Sequence, residues 1–199
     1  MSRREDPTRQ PRKLGHSFYR RPAIELAPAL IGTILVHQVA DQIFRARIVE
    51  TEAYVGTHDL AAHSSKGRTK RTEVMFGPAG RAYVYFIYGT YEMFNIVAAE
   101  VDDAQAVLIR AGEPLDGWDA DLSGPGKLAR AMRITRADNG RDLTGDALYL
   151  LPARRGPMTR IARSPRIGVD YAGIWKDEPL RFFDADSKAV SKSRSQSTR

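Results

Sequence analysis

ARIVETEAYVGTHDLAAHSSKGRTKRTEVMFGPAGRAYVYFIYGTYEMFN, residues Ala46 to Asn95, opens as a β-strand and closes as a β-hairpin, with two histidines and a basic loop between them. From Ile43 to Val55 the alternation predicts one strand face bearing Phe44, Ala46, Ile48, Glu50, Glu52 and Tyr54, and another bearing Arg45, Arg47, Val49, Thr51 and Ala53. The two glutamates thus continue an apolar face, where charge is costly without a compensating role. Farther on, Gly77-Pro78-Ala79-Gly80 marks a turn. It predicts a strand from Arg81 to Tyr88, a tight Gly89-Thr90 turn, and a strand from Met93 to Ala98, a hairpin with tyrosines at its tip.

Upstream, Thr33 to Val39 and the turn-like Ala40-Asp41-Gln42 complete a first hairpin with the glutamate strand. Pro22 to Ile31 has a helix-start proline, apolar Leu26, Leu30 and Ile31, and Gly32 as its stop. Asp59 to His63 suits one helical turn capped by Asp59, and Ser64 to Thr72 is too polar for core, so it is expected on the surface. Downstream, Val107 to Ala111, Leu148 to Leu151 and Leu180 to Phe183 are strand candidates. Leu128, Ala131 and Met132 give a helical pattern after Gly124-Pro125-Gly126-Lys127.

With 199 residues and 42% hydrophobic content, one globular domain is expected over residues 18–186, between basic arms at 1–17 and 187–199 that suit disorder. The chain has no cysteine, which excludes a disulfide framework and a thiolate metal site. It shows neither a secretory apolar segment nor a run of about 18 apolar residues, so the expectation is a cytoplasmic protein with no membrane contact.

The net charge of +7 is carried by the tails, with +3 in residues 1–13 and +4 in 187–199. The remainder is balanced but segregated. Lys66, Arg68, Lys70 and Arg71 form one acid-free run, and five arginines lie between Arg154 and Arg166. Seven carboxylates against Arg110 alone fill Glu100 to Asp121, so a basic face and an acidic face are expected, with solvated loops as the alternative.

Two carboxylates on one strand face sit roughly 7 Å apart by strand rise and can border one pocket as acid and base, or one of them can pair with Arg45, Arg47 or Arg110. His58 and His63 invite a metal reading, but a five-residue spacing does not align ligands on a helix face, and no HExxH motif occurs. Tyr83, Tyr85, Tyr88 and Tyr91 are either ordinary strand aromatics or, beside the basic loop, a surface for stacking bases and neutralising phosphates. Gly124 to Lys127 lacks the phosphate-binding pattern, and a capped helix entry explains it as well. Neither a dinucleotide fingerprint nor a GxSxG elbow is present.

The strings RIVETEAY, AAH and MFGPAGRAYVYFIYGTYEMFN closely resemble the alkyladenine (3-methyladenine) DNA glycosylase family of the mammalian type, of which this would be a bacterial member. Phe18 to Gly32, Leu108 to Pro114 (LIRAGEP), Gly124 to Met132 (GPGKLARAM), RIGVDYAG and PLRFF extend the likeness from Phe18 to Phe183. The resemblance implies a single α+β domain with a curved, mainly antiparallel sheet, flanking helices and a protruding hairpin, of the formyltransferase C-terminal-domain-like kind. It implies a monofunctional, cofactor-free and metal-free monomer in base excision repair. Such an enzyme flips alkylated or deaminated purines out of double-stranded DNA and hydrolyses the N-glycosidic bond.

By the same resemblance Glu52 is the general base that activates water, Arg110 helps to hold that water, and Glu50 is a structural partner. Tyr54, His63 and Tyr85 stack around the flipped base, Asn95 disfavours the amino group of normal guanine, and Tyr88 is the wedge that fills the vacated stack. Lys66, Arg68, Lys70, Arg71, Lys127 and Arg130 are expected phosphate contacts, assigned by charge. The connection from Glu113 to Gly124 is shorter than in eukaryotic members, so contacts made there do not carry over. Two competing readings remain at this stage: a non-catalytic binder of distorted DNA, which needs the tyrosines but not Glu52, and a metallohydrolase built on His58, His63 and a glutamate.

Overall fold

The structure, a computed structural model, describes residues 12–87, 89–153 and 159–191. Its eight described strands are β1 (Ile34–Val39), β2 (Gln42–Tyr54), β3 (Ala82–Ile87), β4 (Tyr91–Ala98), β5 (Gln105–Pro114), β6 (Leu148–Leu151), β7 (Ile161–Ser164) and β8 (Arg181–Asp184). They form one antiparallel sheet in the order β3-β4-β5-β2-β1-β6, with β8 joined to β2 and β7 to β8. Among the described residues three short α-helices flank it: α1 (His16–Tyr19), α2 (Ala23–Leu30) and α3 (Pro125–Ala131). The expected α+β domain with a mainly antiparallel sheet is what the chain forms.

Strand β2 holds the fold together. Its first half pairs with β1, its second half pairs with β8 on that side, and β5 runs along the other edge. Between Ile48 and Thr51 the β2–β5 ladder is irregular: Ile48 faces Gly112, Glu50 faces Ala111 and Thr51 faces Ile109, which leaves Val49 and Arg110 without a partner across the ladder. Unpaired residues of this kind turn a strand locally and re-aim its side chains.

The irregularity corrects the expected strand face. Ala46 and Ile48 lie in the main core, but so does Ala53, and the Thr51 hydroxyl donates to the Ala27 carbonyl of α2 on that same side. The side-chain phase therefore changes at Val49. Glu50, Glu52 and Tyr54 do not continue the Ala46–Ile48 face; they share the opposite face with Arg47. Strict alternation failed here because an inserted residue leaves no compositional mark.

The core lies between this sheet and α2 and α3, with Leu26, Leu30, Leu35, Phe94, Ile96, Ile109 and Leu128 fully or almost fully buried. Helix α3 begins as the bland reading had it, with Gly124 before it and Pro125 in its first turn. Gly126 lies against the hairpin: a Cβ there would come within 2.5 Å of the Tyr91 ring and 3.1 Å of the Tyr91 Cβ. We expect Gly126→Ala to cost about 1–3 kcal/mol by overpacking, measured by urea unfolding; an unchanged midpoint would contradict the close seating of α3 on β4.

The edges of the domain extend past 18 and 186. Leu14 donates its N–H to the Leu150 carbonyl, His16 and Ser17 begin α1, and Ser191 is buried. Residues 1–11 and 192–199 lie outside the described residues. Most of Ser64 to Thr72 is exposed as expected, but its ends are not: Ser64 and Thr72 are buried and hold the loop through bonds to the Ala104 and Gly67 carbonyls.

Candidate active site

A cleft of about 930 Å³ opens on the face of the sheet that carries Tyr54, Tyr85, Asn95 and Arg110. The pairings explain the convergence. Glu52 lies across from Leu108 on one side and Arg181 on the other, Leu108 lies across from Asn95, and Asn95 from Tyr83. One row of side chains thus runs across four neighbouring strands from β8 to β4, with β3 beyond it.

Glu52 has no exposed surface and does not itself line the cleft; it lies behind Tyr54, Arg110 and Ile167, which do. Its Oε1 accepts the Ile167 backbone N–H at 2.8 Å, and its Oε2 accepts the Tyr54 hydroxyl at 3.1 Å and Arg110 Nη1 at 3.2 Å. A carboxylate has about four acceptor positions, and these three donors fix its orientation while one position on Oε1 is not taken up by them. Burial, then the neighbouring Glu52 charge, raises the Tyr54 pKa well above that of a free phenol, so Tyr54 stays a donor. Arg110 is raised too: burial opposes its charge, but Glu52 and Glu50 outweigh that penalty.

Glu50 is the other carboxylate of the pair and is equally buried. It accepts Arg110 Nε at 3.0 Å and Arg181 Nε at 2.6 Å. Both readings of the pair are thus present in one cluster, with ion pairing concentrated on Glu50 and both glutamates sharing Arg110.

The cleft walls are aromatic. The His63 ring lies 4.4 Å from Tyr85 in an edge-on arrangement, and its Nδ1 shares a 2.9 Å hydrogen bond with the Tyr83 hydroxyl. Burial, and secondarily the positive charge of Arg71, lowers His63 to a pKa of about 4, so the ring is neutral at physiological pH. A depressed histidine contributes stability that is complete above its ordinary pKa of about 6.5 and is lost as pH falls through that value toward 4. We expect the ring to titrate near 4 by NMR, and His63→Gln to flatten the decline in unfolding free energy across that window; a midpoint near 6.5 would contradict the buried setting.

Asn95 is buried in the wall, its amide donating to the Tyr83 carbonyl at 3.1 Å and the Met93 carbonyl at 3.3 Å. Those two bonds commit its nitrogen and set which way the side-chain oxygen can turn. The expected wedge, Tyr88, lies outside the described residues; next to it in the hairpin, Phe86 and Tyr91 are exposed.

The basic residues divide. Lys66 and Lys70 are exposed, and Arg71 lies over the Tyr85 ring at 5.3 Å. Arg130 stands over Tyr91 at 5.7 Å. Arg68 instead pairs with Glu73 and Asp102, and Lys127 pairs with Asp121 at 2.7 Å. For those two, DNA would have to compete with acids of the chain itself.

His58 and His63 are separated, with His58 packed on Trp175. Among the described residues no three His, Asp or Glu side chains converge as metal ligands would. No helix of the described chain is long and apolar enough to cross a membrane.

Sequence reasoning missed a layer behind the cleft. Arg166, expected on a basic face, is buried with Asp59 in a bidentate pair, Nη1 to Oδ2 at 2.5 Å and Nη2 to Oδ1 at 2.9 Å. Its guanidinium lies 4.8 Å from the Tyr54 ring centroid, and the next residue, Ile167, supplies the N–H to Glu52. Asp59 also accepts the Ala61 N–H in its own turn, but the helical turn expected over Asp59 to His63 does not form; the helical turn there is a 3-10 one, His63–Lys66. The cue available in the sequence was that Arg166 stands beside the Gly168-containing turn.

The sequence profile described as methylpurine-DNA glycosylase matches residues 17–188. The chain is 51% identical over 181 residues to a protein of Myxococcus xanthus, covering 90% of this chain and 93% of the relative. It is 49% identical to one of Legionella pneumophila strain Corby (91% and 99%) and 47% identical over 194 residues to one of Methanocella arvoryzae (90% and 96%). All three relatives bear the name "Putative 3-methyladenine DNA glycosylase".

Proposed function

The chain belongs to the methylpurine-DNA glycosylase family, and from that premise we propose that the aromatic cleft receives a damaged purine flipped from duplex DNA and that Glu52 drives its hydrolytic release. The chain is a DNA glycosylase of base excision repair, a hydrolase of N-glycosyl bonds with DNA as its substrate. The proposal adds the lesions, alkylated and deaminated purines, the residues that act on them, and action as a cytoplasmic monomer at the bacterial nucleoid.

The observation that carries it is that Tyr54 and Arg110, which line the cleft together with His63 and Tyr85, both bond the buried Glu52 directly behind them. Extruding a nucleotide costs a few kcal/mol, least for a poorly paired damaged base, and the rings of Tyr54, His63 and Tyr85 repay part of it by stacking. As the base departs, the sugar develops oxocarbenium character, and the Glu52 charge stabilises it while its free acceptor position orients water and takes the proton. Arg110, held between Glu50 and Glu52 and lining the cleft, helps to hold that water. Asn95 screens purines by their exocyclic groups, and Tyr88 fills the gap left in the stack.

The reading adds monofunctional chemistry, with water as the nucleophile; it is supported by a cleft whose described lining includes no lysine that could serve as an amine nucleophile. The test is incubation with methylated duplex DNA, followed by detection of free alkylpurine and alkali-labile abasic sites. Release of both supports the proposal; tight binding without release would instead favour a non-catalytic damage binder.

A further inference from the structure

Glu50 takes no direct part in the proposed reaction, yet it is one of the most heavily hydrogen-bonded side chains described. Besides Arg110 and Arg181, its Oε1 accepts the Ser191 hydroxyl at 2.7 Å and its Oε2 accepts the Ser191 backbone N–H at 2.6 Å. Ser191 is itself an acceptor: its hydroxyl oxygen takes Arg110 Nη2 at 3.4 Å, and its carbonyl takes Arg181 Nη2 at 3.1 Å. A single serine, 7% exposed and far along the chain from β2 and β5, thus touches three of the four charged groups of the cluster, all but Glu52.

Its approach is tied down as well. The Ser187 hydroxyl donates to Glu113 Oε1 at 2.5 Å and accepts the Ala189 N–H at 3.2 Å. Glu113 is held by Arg47, which also reaches Asp184 of β8 at 2.8 Å. Residues 187–191 are therefore anchored at both ends across the sheet that carries the glutamates.

We propose that Ser191 is a positioning residue for base excision, and that residues 187–191 form a strap that holds Arg110 in the pose that meets Glu52. The guanidinium is a planar fork, and here its three nitrogens bind three different groups: Nε to Glu50, Nη1 to Glu52, Nη2 to Ser191. Fixing all three removes rotation about the end of the side chain. Without the serine, Glu50 loses two of its four donors and its charge competes with Glu52 for Arg110. The inference rests on the reading of Glu52 and Arg110 as the groups that handle the water.

The experiment compares Ser191→Ala, Ser191→Thr and Ser191→Pro in the full chain, by single-turnover excision of alkylated duplex and by affinity for duplex carrying an uncleavable lesion analogue. Removing the hydroxyl should slow excision roughly 10-fold, and removing the N–H as well should slow it roughly 100-fold, the scale of a misplaced reacting group. Affinity should stay within about 3-fold and Ser191→Thr near the wild-type rate, since the loss falls on the chemical step. Excision by Ser191→Ala at the wild-type rate would overturn the proposal. So would an equal slowing in Ser191→Thr, or a slowing matched by lost affinity; if Ser191→Pro fails to fold, the other two decide. Glu52→Gln in the same assay separates the two readings: activity in that variant removes the reading of Glu52, whereas its inactivity beside a fully active Ser191→Ala removes only the strap.

Discussion

Glu52→Gln is expected to lower single-turnover release of alkylpurine by on the order of 1,000-fold or more while leaving affinity for lesion-bearing duplex within a few-fold. The amide is nearly isosteric, so the cleft keeps its shape, but it cannot take a proton from water or offer a full negative charge to the sugar. Its effect on the surroundings is also calculable in kind. Both carboxylate oxygens now face donors, Ile167 N–H on one and Tyr54 and Arg110 on the other. The amide carbonyl can serve one side, and its NH₂ then faces a donor on the other, a mismatch worth about 1–3 kcal/mol. Circular dichroism and binding to an uncleavable analogue separate this local cost from the catalytic one. Release at even a tenth of the wild-type rate would show that another group activates the water.

The largest effect on stability is expected from Asp59→Ala. The Asp59 and Arg166 side chains have no exposed surface, and the carboxylate also accepts the Val55 and Ala61 N–H groups. Removing it leaves a guanidinium buried with only the Ala53 and Trp175 carbonyls. Stranding one charge of a buried pair costs about 3–5 kcal/mol, which for a chain of this size lowers Tm by roughly 6–20 °C. The double variant Asp59→Ala with Arg166→Met removes the stranded charge and should recover part of that loss. It should not recover excision, because Arg166 backs Tyr54 and fixes the segment whose Ile167 N–H orients Glu52. A drop in Tm of less than about 3 °C for the single variant would mean that the pair is hydrated or replaceable.

Much of the candidate site is legible in the sequence because its members are unusual for their elements: glutamates in an apolar strand, tyrosines on a hairpin, a histidine beside a basic loop. Their strands also fell close to where the residue types put them, as β4 and β6 did. What composition could not show was depth. Arg166 and Arg181 look like surface arginines until Asp59 and Glu50 are seen to meet them, and partners 107 and 131 residues apart in the chain leave no local pattern. Ser191 belongs to a segment whose polarity suits a free tail, yet its backbone N–H and hydroxyl are what a buried carboxylate needs. The phase change in β2 was hidden for a different reason: Val49 is as ordinary in a regular strand as in an irregular one.

That phase change has a consequence for how the chain can vary by gain or loss of residues. Substituting Val49 by another β-branched side chain leaves the spacing of β2 untouched, but deleting it does not. With one residue gone, either the second half of the strand slides by one position and leaves its bonds with β8 and β5, or the alternation runs on unbroken. In the second case alternation from Ile48 keeps Glu50 and Glu52 on the cleft side and Thr51 and Ala53 on the side of Ala27, so the faces survive and only the length of the strand changes. Only the slide takes the glutamates from Arg110, itself the unpaired residue of the facing strand. Residue type can therefore vary at Val49, whereas a single-codon deletion there acts on the site through the register of β2 with β5 and β8 and not through its side-chain faces.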